Sequence, residues 1–231
     1  MKSVSDVSRK IVIFIGPPGS GKGSLSELCV QRLNWRQFST GNLCRKHILD
    51  GTDIGKQIDF AIKSGKLIPD RLMIDMVRDC FRSEFENAST VILDGFPRTV
   101  PQAIALQELL AGPDFGEAVS LAVVRLLVGD EELVQRLSGR LVCQNKSCQS
   151  VYSCANGGRL PRTEGVCDEC SGSLIRRADD DISAVRERLK IYRQHEQELV
   201  NFYDRQGLIK NLDVSQPLEA VYKSFLALVN V

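Results

Sequence analysis

The stretch that decides the fold is IVIFIGPPGSGKGS, Ile11 to Ser24. An apolar, β-branched run, Ile11–Ile15, leads into a glycine-rich turn and a lysine. The run predicts a buried strand. The residues from Lys22 to Leu33 predict a helix with Leu25, Leu28 and Leu33 facing inward. Strand, glycine turn and helix, in that order, are the setting in which G-x-x-x-x-G-K-[ST] cradles phosphate, because backbone N–H groups and the helix N-terminus favour an anion. Gly16, Gly21 and Lys22 fit the pattern, and Lys22 would meet terminal phosphates as a point charge. The next position departs from it. Gly23 stands where Ser or Thr would reach a magnesium ion, with Ser24 one step later.

Outward from the loop, apolar strands alternate with helical stretches. Gln37–Ser39, Thr90–Leu93, Leu121–Val128 and Leu208–Val214 read as strands. Asn42–Leu49, Ile54–Ser64, Arg71–Phe85 and Thr99–Leu110 read as helices, punctuated by Gly51, Gly65 and Pro69. Asp130 is placed to cap a helix Glu131–Ser138. Asp181 is placed to cap a long one with Val185, Leu189, Tyr192, Leu199 and Phe202 on one face, and Pro217–Leu228 closes the chain. The alternation implies an α/β fold: a five-stranded parallel sheet flanked by helices. From Leu141 to Leu174 the composition shifts to Cys, Gly and Ser, the mark of a small inserted module.

The 231 residues suit one large domain or a core with inserts. An apolar share of 43% and a charged share of 26% predict a buried core and exclude global disorder. A net charge of +1 argues against a broad polyanion-binding face and leaves room for a local basic pocket. No apolar run is long enough to cross a bilayer, and the opening MKSVSDVSRK carries no signal-peptide pattern. A cytoplasmic protein is expected, and there clustered cysteines point to metal more than to disulfides.

Phosphoryl transfer through a loose transition state needs positive charge and alignment rather than a nucleophilic side chain. Arginine suits it, because the planar fork grips phosphate oxygens in pairs. Arg98 follows a strand end, and Arg136 and Arg140, four apart, are expected on one helix face. Arg177 flanks the inserted module and Arg188 lies early in the long helix. Asp94 falls at the C-terminal end of a buried strand, where ligands collect in open α/β sheets, and can hold magnesium through water.

Five of the eight cysteines lie between Cys143 and Cys170. Cys143 and Cys148 are separated by four residues and Cys167 and Cys170 by two, with eighteen between the pairs. That spacing fits a two-knuckle zinc site with Cys143, Cys148, Cys167 and Cys170 as ligands and Cys154 as a rival. Four thiolates leave no open position, so the zinc would be structural, stabilising a module too small for its own core. Cys29, Cys44 and Cys80 read as small core residues, and His47 and His195 receive no role.

Five motifs in order resemble the adenylate kinase family: GPPGSGKGS (Gly16–Ser24), STGNLCR (Ser39–Arg45), GKLIPD (Gly65–Asp70), LDGFPRTVPQ (Leu93–Gln102) and RRADD (Arg176–Asp180). The resemblance covers nearly the whole chain after Lys10, and in that family the loop ends G-K-G-[ST], so Gly23 marks a subtype. It implies magnesium-dependent, reversible transfer between ATP and AMP giving two ADP, with closure of a lid. It divides the chain into a core (1–38, 69–138 and 181–231), an AMP-binding segment (39–68) and a Cys-rich lid (139–180). Gly19, Ser20, Gly21, Lys22, Gly23 and Ser24 would hold the phosphates of ATP. Arg136, Arg140, Val151, Tyr152 and Gln216 would also face ATP. Thr40, Arg45, Lys66, Leu67, Ile68, Gly95, Phe96, Pro97, Arg98 and Gln102 would form the AMP pocket, with the Gln102 amide reading the adenine edge. Arg177 and Arg188 would clamp the AMP phosphate and the transferring group. Lys22, Arg98, Arg136, Arg140, Arg177 and Arg188 would thus carry catalysis, and Asp179 and Asp180 would sit at the lid hinge. The partners implied are ATP, AMP and ADP, with a monomeric chain, no membrane and no nucleic acid.

Two departures stand out. Asn42 replaces the family's usual Asp, and its effect is expected to be structural because Asn still caps a helix. The first cysteine pair has a wider gap than the usual two residues. Rival readings are a kinase for another nucleoside monophosphate, a zinc-ribbon nucleic-acid binder with ATP as a switch, and an inactive homologue.

Overall fold

The Ile11–Ile15 run forms the heart of strand β1 (Arg9–Ile15), in which every residue from Ile11 onward is buried. The structure, a computed structural model, describes residues 9–63, 68–85, 88–112, 119–145, 147–148, 150–153, 159–177 and 180–230, with side chains undescribed at 62–63 and 80–85. After β1 come α1 (Lys22–Leu33), β2 (Arg36–Ser39), α2 (Thr40–Leu49), α3 (Asp53–Lys63), α4 (Asp70–Phe85), β3 (Thr90–Asp94), α5 (Val100–Leu110) and β4 (Val119–Leu127). They are followed by α6 (Asp130–Ser138), β5 (Arg140–Cys143), β6 (Val151–Ser153), β7 (Leu174–Ile175), α7 (Ile182–Asp204), β8 (Ile209–Asp213) and α8 (Leu218–Val229).

The five-stranded sheet runs β2-β3-β1-β4-β8. The β1–β3, β1–β4 and β2–β3 pairs are parallel, as helical crossovers require. Because β1 is covered on both faces, it carries a continuous apolar run rather than an alternating one. Register places Phe14 beside Asp94 and Ile15 beside Arg125, so these strands end together where β1 passes into the glycine loop. The parallel α/β architecture read from the sequence is the one found.

The chain forms two compact units. One comprises Met1–Ile15, Ser26–Arg125 and His195–Lys210. Its core joins Ile11, Ile13 and Ile15 to Phe38, Val91, Leu93, Phe96, Leu106, Val123, Leu199 and Tyr203. The other comprises Gly16–Leu25, Leu126–Gln194 and Asn211–Val231. Leu133 and Leu137 of α6 pack on Val185 and Leu189 of α7 there. In the same unit the inserted module forms a three-stranded sheet, β6-β5-β7, around a small cluster of Cys143, Tyr152 and Cys167.

Several local expectations are corrected. In α1, Leu25, Ser26 and Cys29 are the buried face, while Leu28 and Leu33 are only half-buried. Asp130 lies inside the first turn of α6 and does not cap it; Gly129 holds that position in extended backbone. The Asp130 carboxylate instead accepts from Arg193 at 2.6 Å. Asn42 does not cap α2, since Ser39 does so by accepting from the Asn42 N–H at 3.4 Å. Asp181, in contrast, accepts from both the N–H and the hydroxyl of Ser183 at the start of α7, at 2.9 and 2.5 Å. Those bonds to Ser183 hold its carboxyl below the usual range.

Candidate active site

The glycine loop is shaped by positions that admit no side chain. Gly19 and Gly21 have φ of +83° and +89°, a region open to glycine and strained for L-residues. A Cβ on Gly19 would also stand 2.8 Å from Leu137 of α6. The Lys22 ammonium arches over this turn. It donates to the carbonyls of Gly16 and Pro17 at 2.7 and 2.8 Å and to the Ser20 hydroxyl at 3.3 Å. Ser20 is fully buried, whereas Gly23 and Ser24 at the head of α1 are exposed.

Three of the arginines singled out in the sequence are anchored in this same unit. A Cβ built on Gly21 would stand 3.8 Å from Nη1 of Arg136, which places that guanidinium at the loop. Arg136 Nη2 donates to Glu132 at 2.5 Å and to the Val214 carbonyl at 2.6 Å. Arg140 opens β5 rather than continuing α6, so the two arginines do not share a helix face as expected. Arg140 grips Asp180 with both ends of its fork, at 2.7 and 2.5 Å, and Arg188 reaches the same carboxylate at 3.4 Å. The Asp180 side chain is 2% exposed, so its charge is balanced by guanidinium groups rather than by water. Arg177 is half-buried, its carbonyl accepting from the Asp180 N–H at 3.2 Å, and Gln216 lies exposed between β8 and α8. Val151 is exposed, while the Tyr152 side chain is buried in a cluster with Cys143 and Cys167.

A second group gathers at the C-terminal end of β3. Asp94 accepts from Gln37 Nε2 at 3.3 Å. Gly95 has φ of +86°, and its carbonyl accepts from the buried Thr40 hydroxyl at 3.0 Å and from Arg98 Nε at 2.8 Å. A Cβ on Gly95 would stand 2.8 Å from Thr40 Oγ1, so glycine is what allows this approach. The Phe96–Pro97 peptide is cis. Arg98 itself is exposed, while its N–H donates to Gln102 Oε1 at 2.8 Å. Gln102 is buried, and its Nε2 donates to Asp70 Oδ1 at 2.6 Å. Arg45 donates to Asn42 Oδ1, one helical turn away on α2. Ile68 is half-buried; Lys66, Leu67 and Asp179 lie outside the described residues.

The residues that sequence reasoning missed are the ones that hold the others. Asp70, Gln37 and Glu132 orient Gln102, Asp94 and Arg136 respectively. Asp70 closes the GKLIPD motif, yet only its tertiary partner reveals what it does.

In the lid, the four sulfurs of Cys143, Cys148, Cys167 and Cys170 all lie within 4.8 Å of one another. Tetrahedral zinc holds thiolate sulfurs about 3.8 Å apart, given Zn–S bonds of about 2.3 Å. The donor set and its compactness therefore fit a metal ion. Burial pushes the Cys143 thiol up to about 12. Burial also pushes Cys167 up, but bonds from the Tyr152 hydroxyl and the N–H groups of Glu169 and Cys170 outweigh it and bring it down to about 6. The Tyr152 oxygen accepts from the Asp168 N–H at 2.7 Å and lies 3.6 Å from Cys167 Sγ. Cys154 is outside the described residues.

A strand–glycine loop–helix carrying a phosphate-seeking lysine, on a parallel sheet and accompanied by anchored arginines, defines a P-loop nucleoside monophosphate kinase. The adenylate kinase family model matches residues 14–208. An adenylate kinase of Methanothrix thermoacetophila is 37% identical over 211 residues, covering 91% of this chain and 94% of that protein. Adenylate kinases of Methanosarcina acetivorans (36%, over 94% and 97% of the two chains) and Borrelia recurrentis (36%, over 95% and 96%) are similarly close. The chain belongs to the adenylate kinase family, whose reaction is phosphoryl transfer between ATP and AMP to give two ADP.

Proposed function

We propose that this chain moves the γ-phosphoryl group of ATP in line onto the α-phosphate of AMP, using charge and alignment in place of a base or a covalent intermediate. The observation that carries the reading is the Lys22 ammonium arched over the glycine loop with the Arg136 guanidinium beside Gly21. Gly19 to Ser24 would receive the ATP phosphates on backbone N–H groups. Arg136, Arg140, Arg177 and Arg188 would meet the charge that develops on the transferring group. Val151, the Tyr152 backbone and Gln216 would line the adenosine end of ATP. Thr40, Arg45, Lys66 to Ile68, Gly95 to Arg98 and Gln102 would take AMP. Magnesium arriving with ATP would offset phosphate charge, Asp94 accepting from one of its waters. Exposed Ser24 then has no direct magnesium bond to make.

The division into core (1–38, 69–138, 181–231), AMP segment (39–68) and lid (139–180) belongs to the same proposal, as does a structural zinc on Cys143, Cys148, Cys167 and Cys170. So do a cytoplasmic setting and a monomeric state, the latter to be tested by light scattering; among the described residues no helix is long and apolar enough to cross a membrane. The decisive experiment is a coupled ADP assay with ATP and each of AMP, CMP, UMP and GMP. Turnover concentrated on AMP is expected. Preference for another base, or salt-sensitive nucleic-acid binding without ADP formation, would overturn the reading.

A further inference from the structure

We infer that Asp70 is a specificity-determining positioning residue: it fixes the Gln102 carboxamide in a single orientation, and so decides which purine edge that amide can read. This rests on the proposed AMP site. A glutamine amide is ambiguous by itself. It offers an acceptor at one end and a donor at the other, and a half-turn about its terminal bond exchanges them with almost no change of shape. A 6-amino purine presents a donor at position 6 and an acceptor at N1. A 6-oxo purine presents the reverse. For a base seated in one place, turning the amide over therefore exchanges the purine it favours.

Here both ends of the amide are tied to groups that cannot change sense. The Arg98 backbone N–H can only donate, and it meets Oε1 at 2.8 Å. The Asp70 carboxylate can only accept, and its Oδ1 meets Nε2 at 2.6 Å. A turned amide would set Nε2 against the N–H and Oε1 against the carboxylate, in a site where Gln102 is 4% exposed and water cannot compensate. Asp70 is itself held, since its Oδ2 accepts from the Thr99 hydroxyl at 3.0 Å. Thr99 in turn caps α5 by accepting from the Gln102 N–H at 3.4 Å, which ties the backbone of Gln102 to the same network. The two bonds to Gln102 use one lone pair and one N–H of the amide and leave one of each for a base. In a kinase acting on AMP, the orientation so fixed is the one that suits a 6-amino purine.

The test is Asp70→Asn with AMP and inosine monophosphate as paired probes, because the two nucleotides differ only in the sense of the 6 and N1 groups. The carboxamide that this substitution introduces can present a donor or an acceptor to Gln102, so one of the two restraints is lifted while the volume is unchanged. The ratio of kcat/KM for inosine monophosphate over AMP is expected to rise roughly tenfold, the scale of one orienting hydrogen bond in a buried site. Thr99→Val, which loosens Asp70 from the side, should move the ratio the same way by less. Each ratio is taken on one preparation, so a reduced folded fraction cancels from it. If Asp70 only stabilises the fold, both substrates fall together and the ratio stays put, which overturns the inference. If the unaltered protein does not turn over AMP, the proposed function fails first, and that outcome is distinct from an unchanged ratio.

Discussion

At the scale of the residue, the active groups divide into those that would meet phosphate and those that aim them. The Lys22 ammonium donates to Gly16, Pro17 and Ser20, acceptors that a nucleotide phosphate would replace. Ser24 is exposed. Lys22→Ala should therefore lower turnover by about 10²–10³, the usual loss for a donor aimed at transition-state charge. Ser24→Ala should cost far less, and steady-state kinetics on the pair compares them; equal losses would mean that Ser24 binds magnesium directly. Arg98 tells a similar story. Its Nε is anchored on the Gly95 carbonyl, and the residue is exposed, so little of the fold depends on it. Arg98→Ala should keep its denaturation midpoint, as surface changes generally do within about 0.5 kcal/mol. Its turnover should nonetheless fall by at least about 10². These residues were legible because phosphate chemistry restricts both the residue type and the spacing. Asp70 and Glu132 were not, because an acid in a first helical turn has the same local appearance whether or not it steers a distant partner.

At the scale of the element, the boundaries of most helices and strands follow from apolar periodicity and punctuation. The contacts between elements do not. Gly51 marks the break between α2 and α3, yet nothing local reveals how closely those helices approach. A Cβ on Gly55 would stand 2.0 Å from the His47 carbonyl oxygen, a clash with rigid backbone. The Gly55 N–H donates to Thr52 Oγ1 at 3.0 Å, and that hydroxyl also lies 3.0 Å from His47 Nδ1, so the turn is bound into the same junction. Gly55→Ala should thus cost about 1–3 kcal/mol or more, the range for overpacking, measured by urea denaturation. Stability within about 0.5 kcal/mol of the parent, the scatter of neutral surface changes, would show that α2 and α3 can part at no cost. The lid strands were illegible for another reason. β5, β6 and β7 have four, three and two residues, too few to show any period. Asp130 misled for a third: it looks like a cap, but Gly129 adopts the extended backbone of that position and leaves the carboxylate to pair with Arg193 across to α7.

At the scale of the whole molecule, the parallel sheet was legible because strands that alternate with helices leave few topologies. The order β2-β3-β1-β4-β8 was not, since pairing is a long-range property. The four-cysteine cluster lies between these cases: spacing names its sulfurs, and only folding brings them within 4.8 Å. That arrangement lets thiol chemistry report on the molecule as a whole. Cys29 is fully buried, its thiol pushed up to about 12 by burial, and Cys44 is buried and raised for the same reason, so neither should react in the native protein. The four lid sulfurs should be silent while they bind zinc and reactive once it is removed. Chelation should therefore add four thiols to the native titration, release one zinc per chain and leave most of the far-ultraviolet dichroism intact, since the five-stranded sheet has its own apolar core. Cys148→Ser should lower the zinc content and shrink the increment, whereas Cys154→Ser should change neither. If Cys154→Ser loses the zinc instead, the wide gap between Cys143 and Cys148 has placed the ligand set differently from the four sulfurs gathered here.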